Sequence, residues 1–369
     1  MTTPTLPVTL TPLLGVPEVR EGDDLATLLL TALQRNEIQL TDGDILVVSS
    51  KVVSKAAGLR APASAQAEVV LSQTVRIVAE RLTPAGVTRI VESAAGPVMT
   101  AAGVDASNTD DQSAVLVLPA DPDAVAAAIR GGVQNGWAAG HGSHPQIGVI
   151  ISDTAGRPWR HGQTDFALGA CGLHVIEDLR GSADAGGRVL SVTERCLADE
   201  VASAADLVKG KSAGVPAAHL RGLGQYVYAA PASDGESRPG ARDLVRTGPQ
   251  DWFGYGMVEA VRAALGVEPG SPAAAEVGIP FLIPEDAAAR ASRALRVALL
   301  TCPDVVGTVD GNTITLTGPD DFTLGVAAAR AEVALRGERL TTTLTRSPAT
   351  AQTSNDLLTS QTAALIVFQ

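Results

Sequence analysis

Two short apolar runs of strand type set the frame for this chain: Ile45-Leu-Val-Val-Ser49 and residues 147–152. Each breaks off into polar residues, Ser50-Lys51 after the first and Asp153-Thr154 after the second. Around them the pattern mixes both element types. Strands are expected at 6–10, 88–93 and 114–118. Helices are expected at 25–35 behind the cap Gly22-Asp23-Asp24, over 65–82, from Asp121 and Asp123 to about 132, and over 192–208, entered at Thr193. Thr41-Asp42-Gly43-Asp44 reads as a turn and 103–111 as a polar loop. Without a strict βαβ beat, the fold class is α+β rather than a doubly wound sheet.

The length, 369 residues, suits two domains at about 100–200 residues each. Pro, Gly and Ser become frequent at 231–250 and again at 266–284, which reads as a linker between a domain at 1–265 and a small α/β unit at 285–369. In that unit a helix is expected at 285–294, a strand at 296–301, a hairpin around Asp310-Gly311-Asn312, a helix at 324–336 and a last strand at 363–368; it shows no catalytic constellation. Aromatic residues are only 3 %, so the core must be built from Ala, Val and Leu. A net charge of -12 argues against a general nucleic-acid binder, which needs surplus cations to replace phosphate counterions. No apolar run is long enough for a membrane span, and the N-terminus has no signal-peptide pattern. Cys171, Cys196 and Cys302 are scattered, as expected of reduced thiols in a cytoplasmic protein. Neither a P-loop nor a complete G-x-G-x-x-G is present.

Of the 28 basic residues only four are Lys, and they fall in two pairs, Lys51 with Lys55 and Lys209 with Lys211. Lysine is a compact point charge suited to phosphate. Ser49-Ser50-Lys51…Ser54-Lys55 stands where a strand ends, which suits phosphate oxygens, a Ser–Lys hydrolytic pair or a plain solvated strand end. Asp105, Asp153 and Thr154 form an all-oxygen set of the kind that holds Mg²⁺ or Mn²⁺ against phosphates, although an Asp at a strand end is often only a cap. The segment Gly156-Arg157-Pro-Trp159-Arg160-His161-Gly-Gln163-Thr-Asp165 reads either as a loop gripping an anionic, partly aromatic ligand or as an ordinary surface loop. Lys209-Gly210-Lys211 either complements a helix dipole or clamps a nucleotide. His141 and His144 have no further metal ligand near in sequence, and His174 and His219 read as structural.

Taken together, Gly15-Val-Pro-Glu18, Ser50-Lys-Val-Val-Ser-Lys55, Ala102-Gly-Val-Asp105-Ala-Ser-Asn108, Asp153-Thr154, Gly156 to Asp165, and Leu207-Val-Lys-Gly-Lys211 resemble the coenzyme F420-0:L-glutamate ligases (F420-0 gamma-glutamyl ligases) over about residues 6–262. The resemblance implies a family-specific α+β ligase fold, a homodimer, and GTP as co-substrate with Mn²⁺ or Mg²⁺ and K⁺ as cations. The implied reaction adds L-glutamate to the side chain of the deazaflavin precursor F420-0 through an acyl phosphate, then a further γ-linked glutamate. It assigns GTP contacts to Val16, Pro17, Glu18, Val19, Ser50, Lys55, Asn108, Asp206, Leu207, Val208, Lys209, Gly210 and Lys211. Metal contacts fall to Asp105, Asp153 and Thr154, and substrate contacts to Arg157, Trp159, Arg160, Gln163 and Asp165. Lys211 departs from relatives that carry an amide or acidic residue there, and a lysine cannot ligate a second metal. The same motifs also suit a related amide-bond ligase with another acceptor, or a non-catalytic nucleotide-binding paralogue.

Overall fold

In the computed structural model, residues 7–106, 113–228, 238–347 and 362–369 are described. The chain divides into two compact units, 1–75 with 92–246, and 76–91 with 247–369. The fold is α+β, as the mixed pattern predicts.

The first unit is organised by a five-stranded mixed sheet. Its strands are β1 (Thr9–Pro12), β2 (Ile45–Ser49), β3 (Gly148–Arg157), β4 (Arg160–Cys171) and β5 (Ala217–Arg221), in spatial order β1-β5-β2-β3-β4. Only β2 and β3 run parallel, in the register Ile45↔Gly148 to Ser49↔Ser152. Both apolar runs are central strands buried on two faces. Leu46, Val48, Val149 and Ile151 pack into one core, and Ile45, Val47 and Ile150 into another. Helices α1 (Leu25–Arg35) and α3 (Pro122–His141) cover the first face, and α4 (Leu197–Lys209) covers the second. A short helix, α2 (Ser50–Ala56), begins where β2 ends.

Helix α1 starts where its cap predicts, with the Asp24 carboxylate accepting from Ala26 N. Helix α3 runs well past the expected stop near 132. Gly132 does not end it but lets α1 approach, since a Cβ there would lie 2.6 Å from Ala26 Cβ. The helix expected over 65–82 is instead a short helix, Gln66–Ser72, followed by a strand, Thr74–Thr83. Thr74-Val75-Arg76-Ile77-Val78 carries the β-branched residues that fit a pleated surface. The helix expected from 192 begins only at Leu197, because Glu194–Cys196 pairs as a strand with Ile176–Asp178.

The second unit holds α5 (Met257–Ala264), α6 (Pro272–Val277), α7 (Ala287–Leu299), α8 (Asp321–Gly337) and a four-stranded antiparallel sheet. Its strands are β6 (Val306–Asp310), β7 (Thr313–Gly318), β8 (Thr342–Ser347) and β9 (Thr362–Phe368), ordered β6-β7-β9-β8. The Asp310-Gly311-Asn312 turn joins β6 to β7 as a hairpin. Of the strand expected at 296–301, residues 296–299 are the C-terminal part of α7 and 300–301 are a turn. Ala291, Ala294, Leu295 and Ala298 keep the helical spacing and are all buried. Residues 266–284, linker-like in composition, include α6 and contribute Val267, Ala274 and Val277 to the unit's core. A buried ionic cluster lies beside that core: Glu338 accepts from Arg262 Nη2 (3.0 Å) and Arg293 Nη2 (2.8 Å), and Arg293 Nη1 donates to Glu285 (2.7 Å).

Candidate functional site

The site forms at the carboxyl ends of the parallel pair β2 and β3, the place where α/β sheets offer polar groups to ligands. Successive residues of a strand point to opposite faces, and at Ser152-Asp153-Thr154 that alternation divides the chemistry. Asp153 turns toward α2, where Ser50 Oγ donates to its Oδ1 at 2.9 Å. Ser152 and Thr154 turn the other way and donate to Asp165 on β4, at 2.9 and 2.5 Å. A bulge between Ile151 and Ser152 shifts the β3–β4 register just before this point.

Asp165 is the hub of the α4 side. Besides the two hydroxyls it receives Lys209 Nζ at 2.8 Å and Lys211 Nζ at 3.0 Å. Lys209 also donates to Ser152 Oγ (2.7 Å) and Lys211 to Thr154 Oγ1, and Lys211 lies 3.3 Å from Asp206. Burial favours the neutral acid at Asp165, but the Lys209 charge and these hydrogen bonds outweigh it and hold the carboxyl below its usual range. Asp165, expected on the resemblance as a substrate contact, thus spends both oxygens on protein donors. At Asp153 the balance tips the other way. Loss of hydration pushes its pKa up to about 6 despite the Ser50 bond, and the charges of Asp105 and Asp165 add to the rise.

On the α2 side Lys51 pairs with Asp105 at 2.7 Å, and the buried Lys55 pairs with Glu18. Asp105 is delivered by a turn in which Ala101, Ala102 and Gly103 all have positive φ (52°, 54° and 75°). A Cβ at Gly103 would lie 2.3 Å from Leu118 Cδ1. Left-handed alanines cost about 1 kcal/mol or more each, so the fold maintains this turn against its own backbone preference. Main-chain bonds between Asp105 and Leu116 then fix it.

All four lysines of the chain line one cavity of about 400 Å³, together with Val16, Pro17, Glu18, Val19, Asp153, Thr154, Asp206 and Gly210. The two lysine clusters, distant in sequence, are therefore one site. Other residues assigned by the resemblance fall elsewhere. Ser50 is buried behind Asp153. Val208 packs against the core under α4, and Leu207 is 86 % exposed and lines a second cavity. Arg157 also lines that second cavity, whereas Trp159, 84 % exposed, and Arg160 and Gln163 line neither. Asn108 lies outside the described residues. Sequence reasoning passed over Ser152, whose inward role follows from strand alternation, and Lys51 as the partner of Asp105.

A divalent cation fits here in a limited way. Asp153 is a carboxylate whose ionised form is disfavoured by lost hydration and, to a lesser degree, by the charges of Asp105 and Asp165, a condition that a cation would relieve. Mg²⁺ and Mn²⁺ bind through one or two carboxylates plus phosphate oxygens and water. Asp153 stands on the cavity wall, whereas Asp105 is paired with Lys51 and does not line that cavity, and the Thr154 hydroxyl is held by Asp165 and Lys211. Among the described residues no group of three or more His, Cys, Asp or Glu gathers as a metal cage.

Comparison with known proteins fits this geometry. The F420-0:Gamma-glutamyl ligase family profile matches residues 14–64 and 59–222. A coenzyme F420:L-glutamate ligase of Halorubrum lacusprofundi is 36% identical over 261 residues, covering 64% of this chain and 96% of the relative. One from Methanothermobacter thermautotrophicus is 38% identical over 244 residues, covering 61% of this chain and 92% of the relative. One from Halobacterium salinarum is 36% identical over 217 residues, covering 53% and 79%. This chain belongs to the F420-0:Gamma-glutamyl ligase family. Among its described residues, no helix is long and apolar enough to cross a membrane.

Proposed function

We propose that the chain is a GTP-dependent ligase that joins L-glutamate to F420-0, with Mn²⁺ or Mg²⁺ as the assisting cation. The observation that carries this reading is the convergence of Lys51, Lys55, Lys209 and Lys211 on one cavity whose wall also holds Asp153. In a chain of net charge -12, that is where the highly anionic end of a nucleoside triphosphate is best matched.

In this mechanism a carboxylate oxygen of the acceptor attacks the γ-phosphorus and GDP leaves. The amine of glutamate then attacks the acyl carbon of the acyl phosphate; inorganic phosphate departs, the nitrogen loses a proton and an amide remains. Such transfers depend on positioning and charge neutralisation more than on covalent help from the protein. A divalent cation held by Asp153 would neutralise phosphate charge. Lys55 and Lys211 exchange their carboxylate partners for phosphate oxygens. Lys209 stays buried on Asp165 and presents its charge from below. The family resemblance implies a homodimer, which light scattering would check.

The test is direct: purified protein is incubated with F420-0, GTP, Mn²⁺ and glutamate. Glutamylated F420 by mass spectrometry and stoichiometric GDP are expected. Absence of both overturns the reading, and GTP binding without turnover would mark a non-catalytic paralogue.

A further inference from the structure

Strand β8 forms one edge of the four-stranded sheet in the second unit, and among the described residues no strand pairs with its outer side. Thr341 and Gln369 exchange two main-chain bonds of 3.1 Å, so the antiparallel ladder to β9 recurs at 343 and 345. The residues between, Thr342, Leu344 and Arg346, therefore aim their N–H and C=O groups away from β9. Their side chains share the face that α8 covers: Thr342 Oγ1 donates to Glu332 at 3.1 Å, and Arg346 Nη2 donates to Asp321 at 2.8 Å. Leu344 stands between them and is 41 % exposed, and on α8 Phe322, Val326 and Val333 recur at helical spacing and stay exposed. Open edges usually carry Lys, Pro or a bulge that discourages pairing. β8, Thr-Thr-Leu-Thr-Arg-Ser, has neither Lys nor Pro and keeps an unbroken register with β9.

We propose that β8 is a pairing edge for a second copy of this chain, joined antiparallel about a two-fold axis at Leu344. In that register Leu344 meets Leu344 of the second copy, and Thr342 of each chain lies opposite Arg346 of the other. The outward groups of the three residues then make about six main-chain bonds, and one continuous sheet replaces two open edges. Charge selects a second copy as the occupant. Arg346 arrives beside the other chain's Thr342 and the Glu332 carboxylate bonded to that hydroxyl. Within one chain the two charges do not meet: Arg346 lies on Asp321, and Glu332 stands eleven residues further along α8, about 16 Å away. The Leu344 side chains and the exposed α8 stripes come together on the same face. This surface lies outside the part shared with the family, whose profile ends at residue 222, and it does not depend on the ligase reading.

The test follows the mass of the full chain by light scattering and sedimentation over a concentration series. Leu344→Pro removes an N–H that the ladder with β9 does not use and blocks the outer edge. Arg346→Glu sets like charges face to face across the axis. Each is expected to raise the dissociation constant of the assembly at least about tenfold, and to halve the mass at concentrations where wild type is assembled. Arg346→Glu combined with Glu332→Arg restores opposite charges between the chains and is expected to recover association to within about threefold of wild type. Far-UV circular dichroism is the folding control, and the exposed Arg346 position keeps the test open if Leu344→Pro fails it. Where the first unit also dimerises, the same variants take a tetramer to a dimer, which supports the proposal. A monomeric wild type, a dimer that both variants leave intact, or a double variant that stays dissociated overturns it.

Discussion

Lys209 Nζ lies 2.8 Å from Asp165 Oδ2, and both side chains are almost fully buried, at 4 % and 3 % exposure. The pair tethers the C-terminal turn of α4 to β4 beneath the lysine cavity. Removing one member of a buried pair leaves an uncompensated charge, at a cost of about 3–5 kcal/mol. Asp165→Asn is therefore expected to destabilise the first unit on that order in urea unfolding and to weaken GDP binding through the loosened Lys211. A change below about 0.5 kcal/mol would show that water reaches the pair.

Asp153→Asn should behave in the opposite sense. The folded pKa, about 6, stands above the ordinary value near 3.8, so ionisation of Asp153 works against folding progressively between about pH 4 and pH 6 and the penalty is fully present at pH 7. The neutral amide is expected to leave stability at pH 7 unchanged or slightly raised, while Mn²⁺-dependent turnover falls at least about 100-fold. Near-wild-type turnover in this variant would sink the metal role of Asp153.

Asp44 supplies a pH-dependent brace at the start of β2. Burial opposes its charge, yet Arg221, donating at 2.8 and 2.7 Å, and His219, 3.0 Å away, hold the pKa down at about 2. A depressed carboxylate stabilises the fold above its unfolded pKa and ceases to as pH drops through the folded one. Its charge is thus worth about 2 kcal/mol at neutral pH. Asp44→Asn should cost at least that much in urea unfolding at pH 7, and the gap to wild type should narrow from pH 4 toward pH 2. A pH-independent gap would mean that the loss comes from geometry alone.

In the second unit, Glu338 is shared by Arg262 and Arg293. Glu338→Ala should lower the melting transition of that unit sharply, on the order of 3–5 kcal/mol, without altering GDP binding to the first. Scanning calorimetry with and without GDP would separate the two; a GDP affinity that falls along with the melt would refute the independence of the site.

Local chemistry made part of this legible from residue order. The Asp24 cap and the spacing of α1, the apolar run of β2, and the Asp310-Gly311-Asn312 hairpin each carry their own signal within a few residues. Where tertiary pairing decides, order alone misleads. Glu194–Cys196 is a strand because Ile176–Asp178 lies beside it, and α7 continues through 296–299 because its small residues meet a core assembled from distant segments. The same holds for the site. The lysine pairs were visible as clusters, but their meeting in one cavity depends on β2 and β3 pairing in parallel. The inward role of Asp165 depends on the β3–β4 register, which includes a bulge that no local pattern announces.

The alternation at Ser152-Asp153-Thr154 limits how such a site can change. Inserting or deleting one residue within residues 148–151 would exchange the two faces, presenting a carboxylate to Lys209 and a hydroxyl to Ser50. Both half-sites would fail together. Variation in this strand is therefore confined to replacements in place, and a new acceptor or nucleotide preference has to arise on the surrounding walls, while the length of the strand stays fixed.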